Sequence, residues 1–150
     1  MSWHLLPFKD LDLKDLYQIL QIRSAVFVVE QQCSYQDLDN RDFESFHLFY
    51  KNENDIIAYC RILPPGMSYQ QSSIGRVLTI SSHRKQGLGK SLMQQAIQHT
   101  LDLWPKHDIV ISAQVYLDAF YKNLGFKLAG NPYLEDDIPH VKMIFEKSLW

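Results

Sequence analysis

The stretch from Ser73 to Trp104 constrains this chain most, because it predicts a strand, a glycine-containing turn and a long helix in direct succession. Val77 to Ile80 favour an extended backbone. Beyond the turn, apolar residues recur at helical spacing up to Pro105, which ends the helix. The residues of this stripe are Leu88, Leu92, Met93, Ala96, Ile97, Leu101 and Trp104. Such a turn presents free backbone N–H groups at the positive end of a helix, and this arrangement binds phosphate anions.

A nucleotide-binding P-loop is the first alternative for this turn, because Gly89-Lys90-Ser91 matches the end of that motif. The P-loop also requires a glycine five residues before Gly89, and Arg84 occupies that position. The apolar run at residues 109–111 is not followed by an acidic residue that could hold magnesium. These two departures argue against a P-loop nucleotide hydrolase.

The composition predicts a single globular domain over residues 1–150, with 46% apolar and 21% charged residues. A net charge of −2 predicts neither a nucleic-acid nor a membrane partner. Cys33 and Cys60 have no metal-ligand spacing, and the six histidines form no zinc motif, so no metal site is predicted. With no signal segment, no membrane-length apolar run and no disulfide framework, the expected location is the cytoplasm.

The remaining patterns predict a mixed α/β sheet flanked by helices. A first strand is followed by a helix capped by Asp12, and later strands surround the central strand–turn–helix unit. The predicted strands are Trp3–Phe8, Phe46–Tyr50, Ile56–Leu63, Ile109–Ala113, Phe126–Ala129 and Val141–Phe145. A second, shorter helix is predicted over Gln114–Leu124, and Tyr133–His140 is predicted to be a polar loop.

A second predicted loop, Ser34–Ser45, is strongly acidic, with Asp37, Asp39, Asp42 and Glu44. Two interpretations stay open. The carboxylates are either ordinary solvated surface or a landing site that concentrates a cationic substrate.

Two motifs resemble those of the GNAT acyltransferase superfamily. Arg84-x-x-Gly87-x-Gly89 is similar to its pyrophosphate-binding signature, and Ala119–Phe126 resembles its A-x-Y-x-x-x-G-F segment. Further blocks, which extend the similarity over almost the whole chain, resemble the ElaA-like branch: Arg23–Gln31, Ile74–Val77, Ala113-Gln114 and Ile138–His140. That branch often has glycine where this chain has Asp137.

The resemblance implies a GNAT fold, a twisted mixed sheet whose central parallel strands splay apart to admit a CoA thioester. It also implies direct transfer of acetyl from acetyl-CoA to a primary amine, either a small molecule or a protein amino group. The residues implied to hold the cofactor are Val77, Leu78 and Thr79 along the pantetheine and acyl carbonyl, Arg84, Lys85, Gln86, Gly87, Leu88, Gly89 and Lys90 at the pyrophosphate, and Gln114. A non-catalytic acyl-CoA-binding or sensing module with the same fold is the alternative.

Transfer of the acyl group requires an acid for the departing thiolate, a base for the amine and a donor to the oxyanion. The resemblance assigns the acid role to Tyr121. A backbone N–H near Leu78 or Thr79 is the expected oxyanion donor. The leading base candidates are Glu30 and His47, with Glu135 and His140 as further ones. The oligomeric state stays open, a homodimer being one arrangement.

Overall fold

The computed structural model describes residues 1–149, in which eight strands form one mixed sheet. The strands are β1 (Ser2–Pro7), β2 (Phe46–Asn52), β3 (Asp55–Leu63), β4 (Ser72–Thr79), β5 (Ile109–Gln114), β6 (Lys127–Leu128), β7 (Tyr133–Glu135) and β8 (Ile138–Phe145). The α-helices are α1 (Leu13–Arg23), α2 (Leu88–Leu103) and α3 (Asp118–Asn123). The strand order is β1-β2-β3-β4-β5-β8-β6, and β7 also pairs with β8.

The two sides of β2 and β3 face two separate apolar clusters. Leu48 and Cys60 belong to the larger cluster, which α2 contributes to most heavily. Phe49 and Tyr59, the next residues along, belong to a smaller cluster with Ile19 of α1. Because side chains alternate across a strand, α1 covers one face of the sheet and α2 the other. The predicted mixed α/β sheet is therefore confirmed.

Three local predictions were wrong. Gln114 does not begin a helix but ends β5, and a 3₁₀ turn, Val115–Leu117, precedes α3. The sequence pattern ends the first helix at Phe27, so that the chain leaves it from Val28, but a π-helical segment, Ser24–Glu30, continues α1 to Glu30. The polar stretch Tyr133–His140 is a hairpin of β7 and β8 rather than a loop.

The β7–β8 hairpin turns through Asp136 and Asp137, whose φ angles are +51° and +63°. Two consecutive left-handed residues are typical of the tight turn that joins antiparallel strands. Glycine adopts this conformation most freely, and aspartate tolerates it better than most residues. The backbone requirement accounts for the glycine that the related branch often has at position 137.

The strands β4 and β5 separate almost as soon as they pair. Their parallel register holds only for Ser72 with Ile109 and Ser73 with Val110. Farther along, β4 continues to pair with β3 on its other side, through Leu78 and Thr79. Between the Arg61–Gly75 and Tyr59–Leu78 pairs, two residues of β4 lie opposite one of β3, so β4 carries a bulge there. The divergence opens a wedge between two central strands.

A group of buried ion pairs supports this region, starting from Arg23 at the end of α1. The Arg23 side chain is fully buried, and its Nε donates to Asp37 Oδ2 at 2.9 Å. Its Nη1 donates to Asp42 Oδ1 at 2.6 Å, and its Nη2 donates to the Asp37 backbone carbonyl. One guanidinium thus fastens α1 to two points of the acidic loop.

Two more arginines complete the group. Arg61 of β3 donates to both carboxylate oxygens of Asp39, at 2.8 and 2.9 Å. The Nε of Arg76, in the β4 bulge, lies 2.7 Å from Asp37 Oδ1. Both interpretations of the acidic loop are therefore wrong for Asp37, Asp39 and Asp42, which neutralise three arginines instead of facing solvent or a substrate.

Replacement of Arg23 should be strongly destabilising. Arg23→Met leaves Asp37 and Asp42 buried without their shared cation, which typically costs about 3–5 kcal/mol. Urea denaturation would measure the loss. Lys127→Met is the matched control, because it removes the cation of the exposed Lys127–Glu146 pair and should change the unfolding free energy by about 1 kcal/mol or less. Equal losses for the two variants would contradict a structural role for the buried group.

Acid should weaken the fold through Asp39. Burial alone would raise the pKa of Asp39, but the hydrogen bonds and charge of Arg61 outweigh burial and lower it from 3.8 to about 2. Between these values the unfolded chain binds more protons, so stability falls as the pH decreases from about 4 to about 2. Denaturation at a series of pH values should show a shallower slope for Asp39→Asn than for the unmodified chain. An identical slope would contradict the assignment.

Candidate active site

The wedge between β4 and β5 is the mouth of a cleft of about 850 Å³. One wall is β4 with the turn that follows it, and the other is formed by β5, α3 and the β7–β8 hairpin. The π-helical segment after α1 closes a third side through Phe27 and Glu30. Most of the site residues predicted from the sequence line this single space.

The edge of β4 that faces the cleft lacks a strand partner beyond Ser73, because β5 has diverged. Val77, Leu78 and Thr79 all lie along this edge and line the cleft. An open strand edge offers N–H and C=O groups at regular intervals, and an extended ligand binds there as an added strand would. The geometry fits an amide-containing arm such as pantetheine.

The turn after β4 has the conformation of an anion site. Lys85 and Gly87 have φ angles of +63° and +77°, and α2 begins at Leu88, directly after Gly87. A Cβ placed on Gly89 would stand 3.8 Å from Thr79 Oγ1, so the first turn of α2 lies against the end of β4. The residues of this helix start line the cleft, so their free N–H groups lie at its border, where Lys85 and Lys90 add positive charge.

Arg84 already has partners in this turn. Its Nε donates to the Thr79 carbonyl at 2.9 Å, and its two terminal nitrogens donate to the carboxylate of Glu30. These hydrogen bonds lower the pKa of Glu30, against a smaller opposing effect of burial. Glu30 is therefore ionised beside the turn after β4, and it must release Arg84 before either side chain can contact a ligand.

Tyr121 of α3 lines the cleft. Its side chain is buried, in edge-to-face contact with Phe120 and Phe126. Burial raises the pKa of Tyr121, with smaller contributions from Cys60 and Tyr116, so the phenol stays protonated at neutral pH. Within residues 1–149, no group hydrogen-bonds to this hydroxyl. A protonated phenol in this position can donate to a leaving group.

Two predicted residues lie outside the lining of the cleft. Gln86 belongs to the turn but does not line the cleft. His47 is fully buried on β2, where Nδ1 is 2.8 Å from the Tyr59 hydroxyl and Nε2 is 3.0 Å from the Asp42 carbonyl. Burial lowers the pKa of His47. Its role as a base stays a prediction that would require the loss of both contacts.

The far wall carries polar residues that the sequence patterns did not bring together. Ser112 Oγ is hydrogen-bonded to the Tyr133 hydroxyl and lies 3.2 Å from Glu135 Oε1. His140 is the strand partner of Tyr133 and of Gln114, and its Nε2 lies 3.4 Å from Glu135 Oε2. The only signal for Ser112 in the sequence is that it interrupts an otherwise apolar strand.

Gln114 stands beside this group, at the end of β5. Its Nε2 lies 3.4 Å from Gln31 Oε1, at the end of the π-helical segment. Nearby, Cys33 Sγ donates to the Asp136 carbonyl at 3.4 Å. These contacts bring the start of the loop after α1 against the β7–β8 turn, so the cleft is bounded on that side by three separate parts of the chain.

Over residues 1–149, no three His, Cys, Asp or Glu side chains are placed to hold a metal ion. In the same range, no helix has the length and apolar character needed to cross a membrane.

Comparisons with known proteins agree with this geometry. Residues 15–147 match the family described as the acetyltransferase (GNAT) domain. A UPF0039 protein of Synechocystis is 39% identical over 146 residues, which cover 97% of this chain and 95% of that protein.

Two crystal structures superpose on nearly the whole chain. An acyl-CoA N-acyltransferase from Pseudomonas aeruginosa has a TM-score of 0.92 at 42% identity, covering 97% of this chain and 99% of that one. Escherichia coli ElaA has a TM-score of 0.91 at 35% identity, with the same coverage.

Proposed function

This chain belongs to the GNAT acetyltransferase family, and from that membership we propose that it transfers an acetyl group from acetyl-CoA to a primary amine. The observation that carries the proposal is the early divergence of β4 from β5, which leaves an unpaired strand edge leading to a glycine turn at a helix start. An extended thioester fits this edge, and its pyrophosphate fits the turn. The proposal treats residues 1–150 as one catalytic domain.

On the donor side, backbone groups of β4 orient the pantetheine arm and the thioester carbonyl. The N–H groups at the start of α2 and the charges of Lys85 and Lys90 bind the pyrophosphate. The guanidinium of Arg84 joins this pyrophosphate site when its hydrogen bonds to Glu30 are replaced by hydrogen bonds to phosphate oxygens. A backbone N–H near Leu78 supplies the donor for the oxyanion that forms when the amine attacks.

On the chemical side, the neutral amine attacks the thioester carbonyl carbon, the C–S bond breaks, and the sulfur takes a proton. Tyr121 supplies that proton and regains one from the nitrogen, through solvent. Direct transfer is favoured because neither cysteine is a suitable acyl carrier. Cys60 is fully buried and burial raises the pKa of its thiol, while Cys33 is engaged with the β7–β8 turn.

Calorimetry of acetyl-CoA binding tests the donor site. Arg84→Ala should weaken binding by about tenfold or more, because a charge-assisted contact to phosphate is lost. Glu30→Gln should strengthen binding, since it frees Arg84 and removes a negative charge beside the pyrophosphate. If Glu30 also acts as the base, its replacement lowers kcat as well. An absence of acetyl-CoA binding to the unmodified chain would contradict the proposed function.

Tyr121→Phe should lower kcat by about a hundredfold, the low end of a general-acid contribution, because a thiolate already leaves readily. The affinity for acetyl-CoA should not change, since the ring and its packing are retained. Release of the CoA thiol measures turnover. Phe120→Leu is the control for packing on the same helix and should affect kcat less. An unchanged kcat in Tyr121→Phe would exclude the acid role, and binding without turnover of any amine would favour a sensing module.

A further inference from the structure

The far wall of the cleft carries a hydrogen-bonded group whose members share one face of three strands. Ser112 and Gln114 are two residues apart on β5 and therefore share a face. His140 is the strand partner of Gln114, and Tyr133 is the strand partner of His140. Cross-strand partners project to the same side of a sheet. Glu135, two residues after Tyr133, projects to that side as well. The group therefore faces the space into which the acceptor must come.

The hydrogen bonds of His140 determine which nitrogen can accept a proton. Its Nδ1 is 2.7 Å from the backbone carbonyl of Ile138. A carbonyl only accepts, so Nδ1 carries the hydrogen, and the neutral ring has its lone pair on Nε2. This Nε2 lies 3.4 Å from Glu135 Oε2. The Nε2 lone pair and a carboxylate oxygen of Glu135 then face each other without a hydrogen between them. Because His140 is only 7% exposed, water has little access to its ring.

A group with several N–H donors and a positive charge would satisfy both acceptors at once. A primary ammonium can donate to Nε2 and to Oε2 together, whereas water brings no charge. Ser112 holds the other carboxylate oxygen at 3.2 Å, which orients Glu135 toward the histidine. The arrangement is complementary to a protonated amine.

The charges at this end of the cleft restrict what else the acceptor can carry. Glu135 and Asp136 both line it and are exposed. Arg76, which also lines the cleft, is paired with Asp37 and Asp39. Lys142 does not line the cleft, and its Nζ lies 5.5 Å from the ring centroid of Tyr69. A carboxylate next to the reacting amine would meet like charge here, since no unpaired arginine or lysine of the described residues lines this end of the cleft.

We propose that Glu135 and His140 form the acceptor site, and that it takes a primary alkylammonium with no neighbouring carboxylate. This inference rests on the proposed acetyl transfer and names its substrate class. Glu135 binds the ammonium, and His140 Nε2 takes one proton from it, leaving a neutral amine whose nitrogen attacks the thioester carbon. The imidazolium faces Glu135 until the proton passes to solvent. The overall reaction converts an ammonium ion and a thioester into an amide, a thiol and one released proton.

Three acceptors test the substrate class: butylamine, putrescine and norvaline, which is butylamine with a carboxylate on the carbon that bears the amine. With saturating acetyl-CoA, thiol release should proceed with kcat/KM at least about tenfold higher for the first two than for norvaline. Equal use of butylamine and norvaline would overturn the proposed class. Butylamine also reproduces the arm and ammonium of a lysine side chain, so its use is compatible with a protein acceptor.

Two variants test the two roles separately. Glu135→Gln should raise the KM for butylamine by about tenfold or more, with acetyl-CoA affinity unchanged, because an ionic contact becomes neutral. His140→Asn keeps a donor near the position of Nδ1 but removes Nε2, and should lower kcat by about a hundredfold. Asp137→Asn is the control, since it removes a carboxylate from the same turn without touching the pair. If Glu135→Gln behaves like this control, the inference is wrong.

Binding without chemistry separates this inference from the proposed function. Butylamine is titrated calorimetrically into the protein saturated with CoA, and again into the protein alone. Binding that is lost in Glu135→Gln supports the ammonium site even if no amine is acetylated, a result that would refute only the transfer. Turnover of butylamine that is unchanged in both Glu135→Gln and His140→Asn would support the transfer and overturn the site.

Discussion

The structure depends on a buried group of ion pairs between three arginines and three aspartates. Arg23 comes from α1, Arg61 from β3 and Arg76 from the bulge in β4, whereas all three aspartates belong to one loop. Removing charges from water is costly, and mutual attraction offsets this cost only when every group is paired. The group therefore holds helix, sheet and loop in one arrangement. Its position at the bulge places it directly behind the wall along which a thioester would lie.

In the proposed function, that wall acts mainly through its backbone. The unpaired edge of β4 and the N–H groups at the start of α2 are properties of the fold, and side chains contribute charge beside them. Gly87 is needed for its left-handed conformation, whereas a Cβ on Gly89 would meet Thr79 only at an ordinary van der Waals distance. A donor site of the proposed kind needs few specific side chains. Its motif is accordingly short and is recognisable only with the strand and helix around it.

The two ends of the cleft have opposite charge. Lys85 and Lys90 stand at the mouth, whereas Glu135 and Asp136 stand at the far wall. A substrate pair that combines an anionic donor with a cationic acceptor matches this distribution, since each partner meets the opposite sign. In the proposed reaction, this separation would keep the ammonium of the acceptor away from the turn after β4, where Glu30 is paired with Arg84.

The sequence by itself determined the elements that depend on neighbouring residues. The apolar stripe of α2, the turn at Gly87 and the strands β2 and β3 follow from local periodicity and backbone preference, and all were predicted. Contacts between distant positions depend on strand register and helix docking, which local patterns do not encode. Only the tertiary structure therefore paired Glu30 with Arg84, 54 positions away, or set Ser112 beside Glu135. For the same reason the aspartates of the acidic loop looked exposed in the sequence, because their arginine partners lie on three other elements of the fold.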